Sequence, residues 1–276
     1  MVRFSHSVFA LPFALSGAAL ATTVSTIRPA QAAWIVVAMV GARNAAMGFN
    51  RLADHAIDGR NPRTAGRELP QGRLSRRTVW AFTAALSVLF IVAAVQLGPL
   101  CGRLAPVALA IAFGYSYTKR FTWASHAFLG LALAIAPVGG WLAVAGSFAW
   151  TPVVLGIAVS LWVAGFDVVY ACQDTAFDRR AGLHSVPERF GVPAALAIAR
   201  GLHGAALVAL AAVGWLGQLH PVYWVGWAAI VGVLAWAHRL VRPDDLSRVG
   251  VAFLSLNGVV AVLYFGAVLV AVLAAR

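Results

Sequence analysis

Apolar segments about as long as a bilayer is thick follow one another along almost the whole chain. An α-helix needs roughly 20 apolar residues to cross the hydrocarbon core of a membrane. The 276 residues are 61% hydrophobic and only 11% charged, which leaves too few polar groups to cover the surface of a water-soluble domain. The sequence therefore predicts an all-α, polytopic membrane protein and excludes a soluble globular fold.

Proline, glycine and polar residues divide the apolar segments into nine predicted membrane-spanning helices. We predict the spans at 7–27, 31–56, 76–97, 101–118, 124–145, 151–175, 192–216, 221–241 and 248–275. They form a single domain over residues 1–276, in which the loops 57–75 and 176–191 are long cytoplasmic caps. A cleaved signal peptide is the alternative interpretation of the N-terminal run. A first spanning helix accounts for that run equally well, so we expect no cleavage.

Basic residues are concentrated in alternate loops, and this distribution orients the predicted helices. One side carries Arg3, the loop from Arg60 to Arg77, Lys119, Arg120, Arg179, Arg180, Arg189, Arg239, Arg242 and Arg248. The other side carries only Arg28, Arg103 and Arg276. Basic residues favour the cytoplasmic side, so the N-terminus is predicted inside and the C-terminus outside. The net charge of +12 thus reflects membrane topology, and we predict no nucleic-acid partner.

Acidic residues are rare, and they gather at the ends of two predicted spans. Seven of the nine acidic residues lie within segments 54–68 and 167–188. Polar residues in the two segments recur at helical spacing: Asn50, Asp54 and Asp58 in the first, and Asp167, Asp174 and Asp178 in the second. Residues spaced by four or seven lie on one face of a helix. Each set therefore forms one polar stripe.

Carboxylates at this spacing repel one another, and the repulsion raises their pKa values. A divalent cation removes the repulsion, and Mg²⁺ is typically held by one or two carboxylates together with substrate phosphates. A lone pair of aspartates four residues apart is more typical of a solvated helix end. Two matched stripes, each ending an apolar span, instead favour a cavity that holds Mg²⁺ on a polyanion.

Three basic residues suit the anion that the two stripes are predicted to hold. Lys119 is the single lysine of the chain, in "YSYTKRF", with Tyr115 one turn earlier on the same face. Its ammonium group is a compact charge that suits phosphate oxygens, although a plain cytoplasmic anchor of the span is the alternative. Arg63 and Arg67, four residues apart in the first cap loop, are candidates to close over a pyrophosphate.

Arg43 lies inside the second predicted span, two helical turns before Asn50 and on the same face. An arginine at membrane depth costs at least about 2.5–3.5 kcal/mol, so it normally faces a cavity or a partner. That partner is either Asp167, which is similarly recessed in its own stripe, or a carboxylate on a substrate. The sequence leaves both alternatives open.

These motifs resemble the UbiA superfamily of intramembrane prenyltransferases. The family's N-x-x-x-D-x-x-x-D, D-x-x-x-D and Tyr-x-x-x-Lys-Arg motifs are matched by Asn50, Asp54 and Asp58, by Asp174 and Asp178, and by Tyr115, Lys119 and Arg120. The likeness covers most of the chain, from "HSVFALPFALSGA" to the last span.

The resemblance implies a nine-helix bundle around a cavity that opens laterally to lipid, in a bacterial inner membrane, with the active site facing the cytoplasm. It implies a magnesium and pyrophosphate shell made of Asn50, Asp54, Asp58, Asp174 and Asp178, which Asp167 supports. Arg63, Arg67 and Lys119 would bind the pyrophosphate of a polyprenyl donor directly. Arg43 and Tyr115 would lie deeper, near the acceptor or the reacting allylic carbon.

The implied reaction transfers a polyprenyl group from its pyrophosphate to the ring carbon of a hydroxylated aromatic acid. The chain is most similar to 4-hydroxybenzoate polyprenyltransferases. It particularly resembles their relatives in the futalosine route to menaquinone, through "FNRLADHAIDGRNPRTAGRELP", "SHAFLGLALAIAPVGGWLAVAG" and "QDTAFDRRAGLHSVPERFG". The acceptor is then 4-hydroxybenzoate or 1,4-dihydroxy-6-naphthoate, and Arg43 suits the carboxylate of either. Arg51 follows Asn50 where some members carry Asp, a departure that bears on the branch rather than on the chemistry.

Two other functions remain as alternatives. The same fold transfers prenyl groups to acceptors such as haem or a glycerol lipid. A secondary transporter also carries ionisable residues in its spans and a weak internal repeat. The acidic residues here lie at predicted cytoplasmic helix ends rather than at the midplane, which favours the enzyme.

Overall fold

The computed structural model describes residues 10–251 and 256–276, and these residues form helices joined by loops. In chain order the helices are α1 (Ala10–Ala21), α2 (Pro29–Ala53), α3 (His55–Arg60), α4 (Arg76–Leu97), α5 (Pro99–Thr118), α6 (Ser125–Ala145), α7 (Trp150–Ala171), α8 (Thr175–Ala181), α9 (Val186–Phe190), α10 (Val192–Leu216), α11 (Val222–Leu240) and α12 (Leu256–Ala274). A single 3-10 turn, Cys172–Asp174, separates α7 from α8. Within the described ranges, β structure is limited to one isolated bridge. The all-α prediction is confirmed.

Seven helical segments are long and apolar enough to cross a membrane, which confirms a polytopic membrane protein. They are Pro29–Ala53, Arg76–Leu97, Pro99–Thr118, Ser125–Ala145, Trp150–Ala181, Val192–Leu216 and Leu256–Ala274. The segment Trp150–Ala181 comprises α7, the 3-10 turn and α8. The first predicted span begins in residues outside the described ranges, and its described part, α1, is a shorter apolar helix of 12 residues. The eighth forms α11 but lies outside the set of seven, because tryptophans, glycines and the terminal His238 and Arg239 make this helix less apolar. Residues 252–255 of the ninth predicted span are not described.

Proline and glycine place the helix boundaries where the sequence predicted them. Pro29 and Pro99 stand in the first turn of α2 and α5, where the missing N–H costs no hydrogen bond. Gly98 and Gly146 follow α4 and α6 with φ of 138° and 70°, values that side chains with a Cβ rarely adopt. Ser75 begins α4 by accepting a hydrogen bond from the backbone N–H of Thr78 at 3.0 Å.

Helix α1 packs against α6 through two reciprocal glycine contacts. A Cβ atom on Gly17 would lie 1.9 Å from the carbonyl oxygen of Pro137, and one on Gly140 would lie 2.0 Å from that of Ala14. Small residues of this kind let membrane helices approach backbone to backbone. Phe13 on the same helix packs against Trp162 of α7, with ring centroids 5.1 Å apart. Helix α1 is therefore an integral part of the bundle.

We expect Gly17→Ala to destabilise the protein by about 1–3 kcal/mol, as overpacking a tight contact does. Thermal unfolding in detergent measures the loss. Gly232→Ala on α11 is the matched control, because a Cβ there meets no atom within 4 Å. An unchanged melting temperature for Gly17→Ala would contradict the close approach of α1 to α6.

Candidate active site

The first polar motif lies where α2 ends. Asp54 occupies the break between α2 and α3, and its backbone N–H still bonds to the carbonyl of Asn50 at 2.9 Å. Asp58 follows one turn later on α3. Both aspartate residues are buried, with 3% and 5% of their surface exposed. Buried carboxylates require hydrogen bonds or opposite charges, and each finds them in a different part of the chain.

Lys119 is the partner of Asp54. Its Nζ lies 2.7 Å from Asp54 Oδ2, which also accepts a hydrogen bond from Asn50 Nδ2 at 3.1 Å. Asn50 in turn donates to Ser116 Oγ at 3.3 Å, which ties α2 to α5. Asp54 Oδ1 is buried and has no hydrogen-bond partner among the described residues. This oxygen lies 3.6 Å from Arg120 Nη2, within ion-pair distance but beyond a hydrogen bond.

Two arginines of the first cap loop bind the two motifs: Arg67 binds a carboxylate of the first, and Arg63 binds a carboxylate of the second. Arg67 Nη1 donates to both oxygens of Asp58, at 2.8 and 2.7 Å. Arg63 donates to Asp174 from Nε at 2.9 Å and also from Nη2. Its guanidinium also lies 4.6 Å from the ring centroid of Tyr170 and donates to that hydroxyl. The loop therefore connects the two motifs.

The charge of Arg63 is fixed by this environment. Partial burial alone would lower the pKa of the guanidinium, but the hydrogen bonds and charges of Asp174 and Tyr170 outweigh it and raise the pKa above its ordinary value. Asn61 adds a hydrogen bond from its Nδ2 to Asp174 Oδ1 at 3.1 Å. Asp174 is thus bound by two side chains of the loop that follows the first motif.

Asp178 and Asp167, the other members of the second stripe, have different partners. Asp178 on α8 accepts a hydrogen bond from Ser185 Oγ at 3.0 Å. Asp167 on α7 is hydrogen bonded to His126 Nδ1 at 2.7 Å. Asp167 was one of the two partners that the sequence allowed for Arg43. In the structure this carboxylate pairs with His126 instead. The spacing of histidines along the chain did not indicate His126 as a site residue, because its contacts are formed only in the fold.

Below the two motifs lies a cavity of about 570 Å³ bounded by α1, α2, α4, α5, α6 and α7. Its lining is mostly apolar, and its charged residue is Arg43, with Tyr115 nearby on α5. Arg43 Nε is buried and lacks a hydrogen-bond partner within the described ranges. Along α5 the lining extends from Tyr115 to Cys101, about 21 Å at the helical rise of 1.5 Å per residue.

The cavity also reaches the side of the bundle. Val107, Leu131, Phe148 and Ile157 line it and are at the same time exposed by 47–57% at the molecular surface. These residues belong to α5, to α7 and to α6 with its following loop, and these three helices lie in candidate membrane spans. The cavity thus has an apolar body, an exposed wall formed by α5, α6 and α7, and a polar end at Arg43 and Tyr115, and we call the two motifs beyond that end its charged mouth.

Residues 10–259 match the UbiA prenyltransferase family. The chain belongs to this family. It is similar to the 4-hydroxybenzoate octaprenyltransferase of Nitrosospira multiformis, with 32% identity over 234 residues that cover 85% of this chain and 80% of the relative. The enzyme of the same name from Klebsiella pneumoniae is 30% identical over 237 residues, covering 84% and 82%. The chain is therefore a prenyltransferase of the membrane.

Solved structures of the family have the same fold. A UbiA homolog from Aeropyrum pernix K1 superposes with a TM-score of 0.89 at 35% identity, over 98% of this chain and 99% of the homolog. A UbiA homolog from Archaeoglobus fulgidus, solved bound to GPP and Mg²⁺, superposes with a TM-score of 0.69 at 20% identity, over 97% and 98%.

Removing the arginine that joins the two motifs should release the first cap loop. We expect Arg63→Gln to raise hydrogen–deuterium exchange in residues 61–75 by about tenfold, because the loop loses its contacts with Asp174 and Tyr170. Mass spectrometry of the exchanged peptides measures the change. Arg73→Gln, at an exposed position of the same loop, is the control. Equal exchange in both variants would show that Arg63 does not hold the loop.

Proposed function

We propose that the protein catalyses Mg²⁺-dependent transfer of a polyprenyl group from polyprenyl pyrophosphate to a ring carbon of a hydroxylated aromatic acid, with release of pyrophosphate and loss of the proton on that carbon to a base. The observation that carries the proposal is Arg43, which lines the apolar cavity below the carboxylate-rich motifs and whose buried Nε has no hydrogen-bond partner in the described ranges. The relatives named 4-hydroxybenzoate octaprenyltransferase, which match over most of their length, support it.

The charged mouth suits Mg²⁺ and pyrophosphate. No group of three or more His, Cys, Asp or Glu side chains is gathered to hold a metal in the described ranges. Mg²⁺ needs fewer, since one or two carboxylates with substrate phosphates and waters satisfy it, and Asp54 Oδ1 is buried without a hydrogen bond. Asn50, Asp54, Asp58, Asp174 and Asp178 would hold the ion, with Asp167 in support.

When bound, Mg²⁺ supplies positive charge that stabilises the departing pyrophosphate. Lys119, Arg63 and Arg67 act on the same anion. Each is paired with a carboxylate of the two motifs in the structure. As the donor binds, each would exchange that carboxylate for a phosphate oxygen. Cations held in place before the reaction need little reorganisation as the leaving group develops charge.

The apolar body of the cavity suits the polyprenyl chain. Its lining excludes water from the allylic cation that remains when pyrophosphate leaves. Tyr115 stands at the end of the cavity nearest the motifs, where the face of its ring stabilises positive charge. A long prenyl chain would continue through a lateral opening in the wall formed by α5, α6 and α7 into the bilayer. Membrane lipid is therefore a partner of the enzyme in addition to its two substrates.

Arg43 suits the acceptor. A buried cation without a counterion is costly, and a carboxylate on the aromatic acid forms a charge-assisted pair with it. Both 4-hydroxybenzoate and 1,4-dihydroxy-6-naphthoate carry such a group, so the enzyme acts in ubiquinone or menaquinone synthesis. The names of the relatives favour the former, and the three sequence segments quoted above favour the latter.

For the membrane arrangement, α1 and α11 would complete a nine-helix bundle with the seven candidate spans. The distribution of arginines supports a cytoplasmic N-terminus and also supports a position of both motifs on the cytoplasmic side of a bacterial inner membrane. The donor and the aromatic acid then meet at the cytoplasmic surface of the membrane.

Incubating the purified protein in detergent with Mg²⁺, geranyl pyrophosphate and each acceptor separately tests the proposal by product mass. We expect Asp54→Asn to lower turnover by about 100-fold or more, because Asp54 would hold the Mg²⁺ whose charge stabilises the departing pyrophosphate, and loss of one preorganised electrostatic group costs this much. Asp244→Asn, at an exposed loop position, is the control. Full turnover by Asp54→Asn would contradict the role of the motif. Absence of pyrophosphate release by the wild type would favour a transporter, and release without either aromatic product would favour another acceptor.

Arg43→Gln should raise the KM for the aromatic acid by about tenfold or more, the effect of losing a charge-assisted pair of roughly 1.5–3 kcal/mol. The KM for geranyl pyrophosphate should change little, because Arg43 lies away from the mouth. Initial rates with each substrate varied in turn separate the two constants. Arg103→Gln, on an exposed position of α5, is the control. A rise confined to the pyrophosphate KM would place Arg43 in the donor site instead.

A further inference from the structure

Three consecutive residues of the second cap loop, 184–186, contact different parts of the charged mouth. The backbone N–H of His184 donates to the carbonyl oxygen of Lys119 at 2.7 Å. Ser185 Oγ donates to Asp178 Oδ2 at 3.0 Å. The backbone N–H of Val186 donates to His126 Nε2 at 3.2 Å. The segment thus binds the backbone of Lys119, the carboxylate of Asp178 and the ring of His126.

The histidine extends these contacts to the remaining carboxylate. His126 is buried near the start of α6, and its Nδ1 lies 2.7 Å from Asp167 Oδ2. The N–H of Val186 requires an unprotonated Nε2, so the proton of the neutral ring is on Nδ1 and is donated to Asp167. Both ring nitrogens are used, which fixes the tautomer and the ring orientation.

The contacts of this ring cross long distances in the sequence. Asp167 lies 41 residues from His126, and Val186 lies 60 residues from it. Through one imidazole, the α7 carboxylate is joined to the same segment that holds Asp178 and the backbone of Lys119. A displacement of that segment therefore moves parts of both the second carboxylate stripe and the lysine that pairs with Asp54.

We propose that His126 is a positioning residue of the prenyl-transfer site, one that holds Asp167 and segment 184–186 in the arrangement that binds the donor pyrophosphate. This proposal rests on the proposed function. His126 does not line the cavity, and its hydrogen bonds go to Asp167 and Val186 rather than to the first motif. Its effect on donor binding therefore passes through Asp167, Asp178 and Lys119. Residues that orient ligand side chains typically change affinity or activity 10- to 100-fold when they are replaced.

A role limited to packing would depend on the size of the ring rather than on its hydrogen bonds. His126→Gln distinguishes the two, because a glutamine amide offers one donor for Asp167 and one acceptor for the N–H of Val186. His126→Ala removes both. His220→Ala, an exposed histidine before α11, is the matched control, since it lies at the opposite end of the bundle.

Two measurements test the proposal. The first is steady-state kinetics with geranyl pyrophosphate, together with calorimetric binding of non-hydrolysable geranyl thiopyrophosphate in the presence of Mg²⁺. The second is hydrogen–deuterium exchange of residues 183–187, which needs no activity. We expect His126→Ala to raise the donor KM and the dissociation constant by about 10- to 100-fold and to accelerate exchange at Val186. His126→Gln should restore all three readouts to near the wild-type values.

Unchanged donor binding by folded His126→Ala would overturn the positioning role. So would a His126→Gln variant that melts like the wild type but binds the donor as weakly as His126→Ala. If His126→Ala does not fold, Ser185→Ala decides, because it loosens the same segment at Asp178; an unchanged donor KM there would overturn the proposal. A wild-type protein that fails to bind the thiopyrophosphate with Mg²⁺ would overturn the proposed function itself.

Discussion

The structure depends on neutralising carboxylates that the fold buries at the ends of membrane helices. Asp54 and Asp58 are almost inaccessible to water, and a buried charge without a partner is one of the costliest features a protein can contain. The chain supplies Lys119 from the end of α5 and Arg67 from the first cap loop, and Arg63 of that loop pairs with Asp174. These ion pairs bring together helix ends that are distant in sequence, so the requirement for charge balance also assembles the site.

The cavity below the ion pairs separates two kinds of chemistry along one direction. Ionic groups are concentrated at the mouth, and the body is lined mainly by apolar side chains, including Phe90 and Phe148, together with Tyr115. Arg43 is the exception, since its Nε is buried without a partner within the described residues. A cation in that position is costly to the folded protein, and the carboxylate proposed to bind there accounts for it. The proposed reaction between an anionic lipid and an aromatic acid would use both features, the ionic groups for the lipid and Arg43 for the acid.

Much of this arrangement follows from local patterns in the sequence. Apolar run lengths predicted the helices, and Gly98 and Gly146 lie at boundaries that the sequence indicated. The stripe of Asn50, Asp54 and Asp58 follows from helical spacing, although the helix breaks at Asp54 itself. The pairing of each carboxylate did not follow, because ion pairs between distant segments depend on how the helices pack. His126 shows the limit most clearly, since both its partners are more than 40 residues away and no spacing rule connects them.

The lateral opening proposed beside Val107 and Ile157 changes which concentration sets the rate at which the enzyme meets its lipid substrate. A substrate that enters from the side is delivered by diffusion in two dimensions, and its relevant concentration is its mole fraction among the lipids rather than its molarity in the cell. Enlarging the membrane at a constant amount of lipid substrate slows the encounter, whatever the volume of the surrounding water. In the proposed reaction, the water-soluble aromatic acid follows its concentration in the volume of water, so the two substrates would respond to different dilutions.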